Sequence, residues 1–299
     1  MYHKRLYRPH NISKVYYLAF EGKRTEQRYF SSLEQSRIFS RSVCTVRLHR
    51  GLTEESMSNP KSITKLVLDF RTLQKEGIYS TDLFICHVLD YLDETYPGQI
   101  QTDLIRQYAK ELKNTLMSQK AANDKQIIDQ IEAEEIARFY FQTVLNREII
   151  LDLSKFKRPF NDDSIEDEYC IIVDRDEKSF TELQVNDVKN TCNDQGLRLI
   201  ITNPCFELWL LLHFDVSKER ITECIRNNSL KKEVSQYSGI YEGLVSELEY
   251  APVIGVARSK LEQYAQDLDT VSKPTSSGMD CVGSNIGFLM DDLTDGRYP

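Results

Sequence analysis

The chain has 299 residues, a net charge of −8, and 40% hydrophobic and 28% charged residues, which is ordinary for a globular protein in water. It has no stretch long enough to span a membrane, and its basic N-terminus lacks the apolar core of a signal peptide, so we expect a cytoplasmic protein without a membrane anchor. Seven cysteines without a Cys-x-x-Cys pair indicate reduced thiols and argue against a disulfide framework or a zinc site.

The first predicted strand, Lys14–Phe20, leads through a tight turn into a predicted helix. Gly22 permits the turn, and Thr25 is the predicted N-cap of the helix. Glu21 therefore ends a buried strand, and Glu26 lies in the first helical turn. The helix dipole alone explains an acid at position 26, whereas a carboxylate at the end of a buried strand needs a partner.

A second strand is predicted over Val43–His49, followed by a helix that Asn59 caps and Pro60 begins, running to Gly77. Residues 78–167 then interrupt the alternation of strands and helices. Apolar residues recur there every three to four positions, which predicts an inserted amphipathic helical hairpin. Its inward faces are expected to pack together, and its outward faces leave contact with a partner or substrate open.

The run from Glu168 to Val173 predicts a strand buried on both faces, and it ends in Asp174-Arg175-Asp176-Glu177. In open α/β sheets, ligands bind just beyond the carboxyl ends of the strands. A single turn after the strand can aim Asp174 and Asp176 at one point, and carboxylates are the ligands that Mg²⁺ prefers. The alternative interpretation is a solvated acidic turn.

A helix is predicted from Phe180 to Gln195, closed by Gly196, and then a strand over 197–202. Asn203 is the predicted cap, and Pro204 the predicted first residue, of a deeply buried helix that contains Glu207. A charge inside an apolar run needs a partner, so we expect Glu207 to bond to basic groups or backbone donors next to the site. His213 ends this helix and is expected to be a core histidine.

Beyond residue 215 the pattern weakens. We expect short helices within 218–250, a helix over 257–269, a flexible loop at 272–278 and a last helix over 285–293.

Basic side chains cluster near the N-terminus. Residues 1–50 contain 11 Lys and Arg against 3 Asp and Glu, a local charge of +8, so the remainder carries −16. Such a surface can steer a polyanion, although a merely solvated basic surface fits equally well. Lys23, Arg24 and Arg28 flank the first acids and Lys178 follows the second, which makes them candidate phosphate ligands. For each of the four, an exposed surface position is the alternative.

Three motifs together resemble a known family. They are Glu21–Glu26 with its Glu-Gly turn, Val173–Glu177 with its Asp-x-Asp, and the Asn-Pro-x-Phe-Glu run over 203–214. These motifs resemble the RloB family of defence-associated, Toprim-like proteins, which is related to OLD-type Toprim nucleases. The resemblance implies an α/β fold, with a Toprim-like, Rossmann-type parallel sheet and flanking helices. The resemblance is carried by residues 14–77 and 168–215, so we expect a Toprim-like catalytic core of residues 1–77 and 168–215. The residue pattern adds a large helical insertion at 78–167, which departs from the shorter connection of the family, and a mostly helical C-terminal region at 216–299.

By the same resemblance, the protein is expected to be a nuclease that hydrolyses phosphodiester bonds of RNA, transfer RNA included, or DNA, as the effector of a bacterial anti-phage defence system. Glu21, Glu26, Asp174 and Asp176 would bind one or two Mg²⁺ or Mn²⁺ ions, and Glu21 would also serve as general acid or base.

An AAA-type ATPase partner is implied too, and the chain itself contains no Walker A motif. A non-catalytic binding or sensor subunit and a nucleotidyl-transfer enzyme are the alternative functions, and homo-oligomer formation is left open.

Overall fold

The computed structural model describes residues 12–22, 25–48, 59–75, 165–237 and 250–297. The chain divides into two compact units. One comprises Met1–Arg47, Ser58–Thr64 and Ser164–Pro299, and the other comprises Leu48–Met57 and Lys65–Asp163. The first unit contains the candidate site and the strands that frame it. Residues 78–164 of the predicted helical insertion, together with Lys23 and Arg24, lie outside the described residues. Glu166 and Asp167, which the prediction placed in the insertion, belong to the strand that ends at Asp174. The predicted division into core, insertion and C-terminal region stays a prediction. Within the described ranges, no helix is long and apolar enough to cross a membrane.

Five strands form one sheet in the order β2-β1-β3-β4-β5. Their bounds are β1 Lys14–Phe20, β2 Val43–Leu48, β3 Glu166–Asp174, β4 Arg198–Asn203 and β5 Gly283–Ser284. β3 runs parallel to both β1 and β4, and β5 runs antiparallel to β4. The predicted α/β fold with a mostly parallel, Rossmann-like sheet is confirmed.

The two central strands explain why this sheet forms. Residues 15–20 of β1 and 169–173 of β3 are all buried, as expected for strands that are covered on both faces and therefore read as continuous apolar runs. Phe20 is paired with Ile172, so the two strands end almost level. The polar residues that follow each strand are thereby brought to the same edge of the sheet.

The described helices are α1 Thr25–Gln35, α2 Pro60–Lys75, α3 Glu182–Gln195, α4 Glu207–Leu211, α5 Lys218–Arg226, α6 Leu230–Gln236, α7 Tyr250–Leu261, α8 Leu268–Val271 and α9 Ile286–Thr294. The predicted cap of α2 is confirmed, because the Asn59 side chain accepts a hydrogen bond from the Ser62 N–H at 2.9 Å. Gly196 closes α3 in the left-handed conformation, as predicted. The helix begins at Glu182 and not at the predicted Phe180, because Thr181 caps its start through a capping box with Gln184.

The predicted helix start at Asn203-Pro204 is wrong. Asn203 is the last residue of β4, the peptide bond to Pro204 is cis, and α4 begins only at Glu207. The Asn203 side chain is fully buried and makes tertiary bonds instead of capping a helix. Its amide donates to the carbonyls of Val271 and Lys273 at 3.0 and 2.8 Å, and its oxygen accepts from the Thr275 hydroxyl. These bonds hold the segment predicted to be a flexible loop against the end of β4.

The C-terminal part also departs from the predicted helix over 257–269, because α7 ends at Leu261. The backbone of Ala265 then bonds on either side of Gly283, accepting from the Ser284 N–H and donating to the Val282 carbonyl at 2.9 and 3.0 Å. A Cβ at position 283 would lie 2.6 Å from the Ala265 nitrogen, so only glycine allows this approach.

Asn285 extends the pairing along β4 with its side chain. Its Oδ1 accepts from the Ile201 N–H at 2.7 Å, and its Nδ2 donates to the Leu199 carbonyl at 2.8 Å. The Asn285 amide thus bonds to the β4 backbone groups with which a longer β5 would pair.

Candidate functional site

A cavity of about 320 Å³ lies beyond the carboxyl ends of β1 and β3. It is lined by Gly22, Thr25, Glu26, Asp174, Phe206, Glu207 and Lys231. These residues come from the turn before α1, the end of β3, the start of α4 and the start of α6. The cavity therefore occupies the edge of a parallel sheet at which α/β proteins bind their ligands.

Asp174 is at the centre of this arrangement as the last residue of β3. Its Oδ1 accepts a hydrogen bond from the Phe206 N–H at 2.8 Å, and its own N–H donates to Glu21 Oε2 at 2.9 Å. Burial raises the pKa of Asp174 well above its ordinary value, and three carboxylates raise it further: those of Glu26, Glu207 and Glu21. The Phe206 N–H lowers that pKa only in part. Asp174 is therefore a partly buried acid surrounded by like charges.

Glu21 connects the two central strands at this edge. Its backbone N–H continues the β1–β3 pairing by donating to the Ile172 carbonyl at 3.0 Å, and its carboxylate accepts from the Asp174 N–H. A carboxylate at the end of a buried strand needs a partner, and the backbone of β3 supplies one for Glu21. This bond holds the Glu21 carboxylate against the backbone of Asp174, and Glu21 is not among the residues that line the cavity.

Glu26 folds back over the turn that precedes α1. Its carboxylate accepts the Gly22 N–H at 3.0 Å, and the residue is only 4% exposed. An ideal Cβ at position 22 would lie 1.8 Å from Glu26 Oε2, so the absence of a side chain at Gly22 makes the room that this carboxylate occupies. Burial raises the pKa of Glu26, and the Glu207 carboxylate raises it too, against the lowering effects of backbone N–H groups and Lys231.

Glu207 and Lys231 form the outer part of the cavity. Glu207 Oε1 lies 4.0 Å from Lys231 Nζ, with 13% of the Glu207 side chain and 77% of the Lys231 side chain exposed. The Glu207 carboxylate is the main cause that raises the pKa of Lys231, and Asp174 and Glu26 contribute. The Lys231 ammonium group thus interacts electrostatically with all three acids that line the cavity, Glu207, Asp174 and Glu26.

The family comparison agrees with the sequence motifs. The model of the family described as RloB-like protein matches residues 89–291, which is more than half of the chain. The chain belongs to the RloB-like family. The matched range includes Asp174, Glu207 and Lys231 but begins after β1 and α1, so Glu21 and Glu26 lie outside it. Searches of curated proteins and of solved structures found no match to this RloB-like chain.

Asp176 does not line the cavity in this RloB-like protein. It is exposed, and its carboxylate accepts the Lys178 N–H at 3.0 Å and the Ser179 hydroxyl at 3.1 Å within its own turn. The intervening residue explains the geometry. The Arg175 side chain is buried, and it donates to the carbonyls of Ser272 and Phe180. Anchoring Arg175 in this way draws the backbone into a turn, which separates the two aspartates of the motif.

The predicted basic ligands are not gathered around the cavity in the described ranges. Arg28 and Lys178 are exposed and are not among the lining residues. Lys231, which the sequence reasoning missed, takes the position expected of them. It lies in a short helix of weak sequence signal, 24 positions after Glu207, and no local pattern marks it.

The predicted core role of His213 is confirmed. Its Nε2 lies 3.0 Å from the Tyr29 hydroxyl, and burial lowers its pKa to about 4.

The donor set suits a hard cation in its chemistry. The lining acids offer carboxylate oxygens, which Mg²⁺ and Mn²⁺ prefer, and a cation would relieve the repulsion that raises the pKa of Asp174 and Glu26. Burial keeps the nearby Cys205 a neutral thiol by raising its pKa well above the ordinary value. As placed, no three of the described His, Cys, Asp and Glu side chains are close enough to share one ion. Metal binding therefore requires side-chain rotation in the cluster.

Proposed function

We propose that this RloB-like chain is a Mg²⁺- or Mn²⁺-dependent enzyme that hydrolyses phosphodiester bonds of nucleic acid, as the effector of a bacterial anti-phage defence system. The observation that carries the proposal is the surroundings of Asp174. A partly buried carboxylate at the end of a central strand has three further carboxylates within electrostatic reach, and it lines a cavity of about 320 Å³. Neighbouring acids of this kind are stabilised by bound cations.

In this proposal Asp174, Glu26 and Glu21 hold the metal, and Glu207 completes the set from α4. A bound ion supplies a polarised phosphate and a water with a lowered pKa. Backbone donors orient two of these carboxylates, and rotation of side chains in the cluster would bring the set onto one ion. The Phe206 N–H holds Asp174 and the Gly22 N–H holds Glu26, so each acid is oriented by a backbone donor. In this proposal Asp176 stabilises the turn that follows Asp174, or it becomes a further metal ligand after a change of rotamer.

A nucleic-acid substrate and an AAA-type ATPase partner are supported by the family resemblance and by the sequence. The charge of +8 over residues 1–50 suits a polyanion, and the absence of a Walker A motif from the chain suits an ATPase supplied by another protein. RNA, transfer RNA included, and DNA are the candidate substrates.

A non-catalytic binding or sensor subunit is the second candidate. It is favoured by the use of the Asp176 carboxylate within its own turn and by the spacing of the described acids, which do not converge on a single ion as placed. A nucleotidyl-transfer enzyme would use the same carboxylates as a hydrolase, and the reaction products distinguish the two.

The test is a cleavage assay of the full chain with Mg²⁺ or Mn²⁺ on bulk transfer RNA, single-stranded RNA, and linear and supercoiled DNA. Asp174→Asn keeps an oxygen for the Phe206 N–H but removes the charge. Asp194→Asn, an exposed acid on α3, is the matched control. Cleavage lost in the first variant and kept in the second supports the proposal. Equal cleavage by both variants refutes the site. If no substrate is cleaved, weak Mg²⁺ binding in calorimetry favours the non-catalytic subunit.

A further inference from the structure

Lys231 is the only base among the described residues that line the cavity. The other charged lining residues are acids, namely Glu26, Asp174 and Glu207. Lys231 Nζ lies 4.0 Å from Glu207 Oε1, at the outer limit of an ion pair and beyond hydrogen-bonding distance. With 77% of its side chain exposed, the ammonium group stands at the mouth of the cavity rather than inside the acidic cluster.

The helix that carries Lys231 is firmly fixed. Leu230 and Val234 are buried in the core cluster against α4. On the same helix, the Glu233 carboxylate accepts a bidentate pair of hydrogen bonds from Arg220 of α5, with Nε–Oε1 and Nη2–Oε2 distances of 3.0 and 2.7 Å. Lys231 lies between these anchors, so its Cα cannot shift without disturbing them. The stem of the lysine is therefore positioned, while its ammonium group keeps the freedom to exchange partners.

The charged groups that a diester phosphate would meet in the cavity are all carboxylates except for Lys231. Bound metal would neutralise the carboxylates and weaken the hold of Glu207 on the lysine, leaving its ammonium group to pair with a phosphate oxygen. We infer that Lys231 is a substrate-binding residue, which contacts the phosphate of the nucleic-acid strand at the cavity mouth. The inference rests on the proposed function and assigns one residue of its substrate contact.

The same geometry predicts opposite effects on two ligands. Lys231→Ala removes a cation that competes for the carboxylates, so the variant should bind Mg²⁺ as well as or better than the wild type. It also removes a phosphate contact, so it should bind nucleic acid roughly fivefold more weakly. The slope of log affinity against log salt concentration should flatten by about 0.7 for a single strand. A merely structural role for Lys231 would lower the binding of both ligands together.

The experiment uses the full chain with Ca²⁺ in place of Mg²⁺, because Ca²⁺ is a hard cation that takes the same oxygen ligands. It measures fluorescence anisotropy with labelled single-stranded RNA and DNA at several salt concentrations, and a gel checks that the probe stays intact. Lys232→Ala, the adjacent exposed lysine that does not line the cavity, is the matched control, and Lys231→Arg should restore the slope. Calorimetry with Mg²⁺ on Lys231→Ala in the otherwise wild-type chain is the second measurement.

Weaker binding and a flatter slope in Lys231→Ala alone support the inference. Equal affinity and slope in the two alanine variants overturn it, whether or not the wild type cleaves nucleic acid. Loss of both ligands in Lys231→Ala overturns it as well. The Asp174→Asn cleavage assay tests the proposed function separately. The role of Lys231 can therefore be refuted while the proposed function stands, and the reverse.

Discussion

Replacing Gly22 by alanine tests how the turn between β1 and α1 holds Glu26. The new Cβ would lie 1.8 Å from Glu26 Oε2, far inside contact distance. The carboxylate is the end of a flexible side chain, so we expect it to leave the turn while the backbone stays in place. The variant then loses the 3.0 Å bond between the Gly22 N–H and Glu26 Oε1, and the buried acid must find another position.

The magnitude follows from two opposing terms. Loss of a hydrogen bond to a carboxyl group costs about 1–3 kcal/mol in the free energy of unfolding. Alanine at a position without a positive φ restricts the unfolded chain, which returns about 0.4–1 kcal/mol. We therefore expect a net loss of about 1–2 kcal/mol in urea unfolding of the full chain. Mg²⁺ affinity, measured by calorimetry, should fall as well, because Glu26 no longer faces the cavity.

The matched control is the same substitution in a Glu26→Ala chain. The three atoms nearest to the new Cβ all belong to the Glu26 carboxylate, so without it Gly22→Ala should be neutral or stabilising by up to about 1 kcal/mol. The difference between the two backgrounds isolates the contact between positions 22 and 26. An equal loss of stability in both backgrounds would show that the backbone of the turn, and not the position of Glu26, requires glycine.

Two further predictions concern stability. Because the pKa of Asp174 is raised in the folded protein, its contribution to stability is present below the ordinary carboxyl pKa of about 4 and is lost as the pH rises through the raised value. In a chelator, Asp174→Asn should therefore stabilise the chain near neutral pH and lose that advantage on acidification. The comparison with wild type cancels the opposite effect of His213, whose lowered pKa destabilises the fold in acid. If the Asp174→Asn chain were more stable than the wild type by the same amount at every pH, the raised pKa of Asp174 would be contradicted. Gly283→Ala should destabilise the chain by about 1–3 kcal/mol by pushing β5 from Ala265, and unchanged urea unfolding would refute that close approach.

The sequence was sufficient to predict the frame of the site. β1 and β3 are continuous apolar runs, and the acids that follow them, Glu21 and Asp174, lie at the strand ends where a parallel sheet gathers its ligands. The site residues themselves stay a prediction for experiment. Local signals place Glu21 and Asp174 at strand ends and Glu26 in the first turn of a helix, and the pairing of β1 with β3 brings the two strand ends together.

What the sequence could not show depends on tertiary contacts. Asn203-Pro204 is a good local pattern for a helix start, but the buried amide of Asn203 bonds to a segment some 70 residues later, and the helix begins after it. Asp176 is two positions from Asp174, yet the burial of Arg175 against Ser272 turns the chain between them. Lys231 reaches the cavity only because α6 packs on α4, and no local spacing encodes that packing.

The Asn285 side chain at the border of the sheet has a consequence for the behaviour of the protein in solution. β4 would otherwise expose its outer N–H and C=O groups, and an open strand of Leu, Ile, Ile and Thr invites pairing with another chain. Two residues of β5 and one amide from Asn285 close that border. Residues 283–285 thus cover the edge of the sheet, and a chain shortened to residue 215 would expose an unpaired strand edge, so we expect it to aggregate.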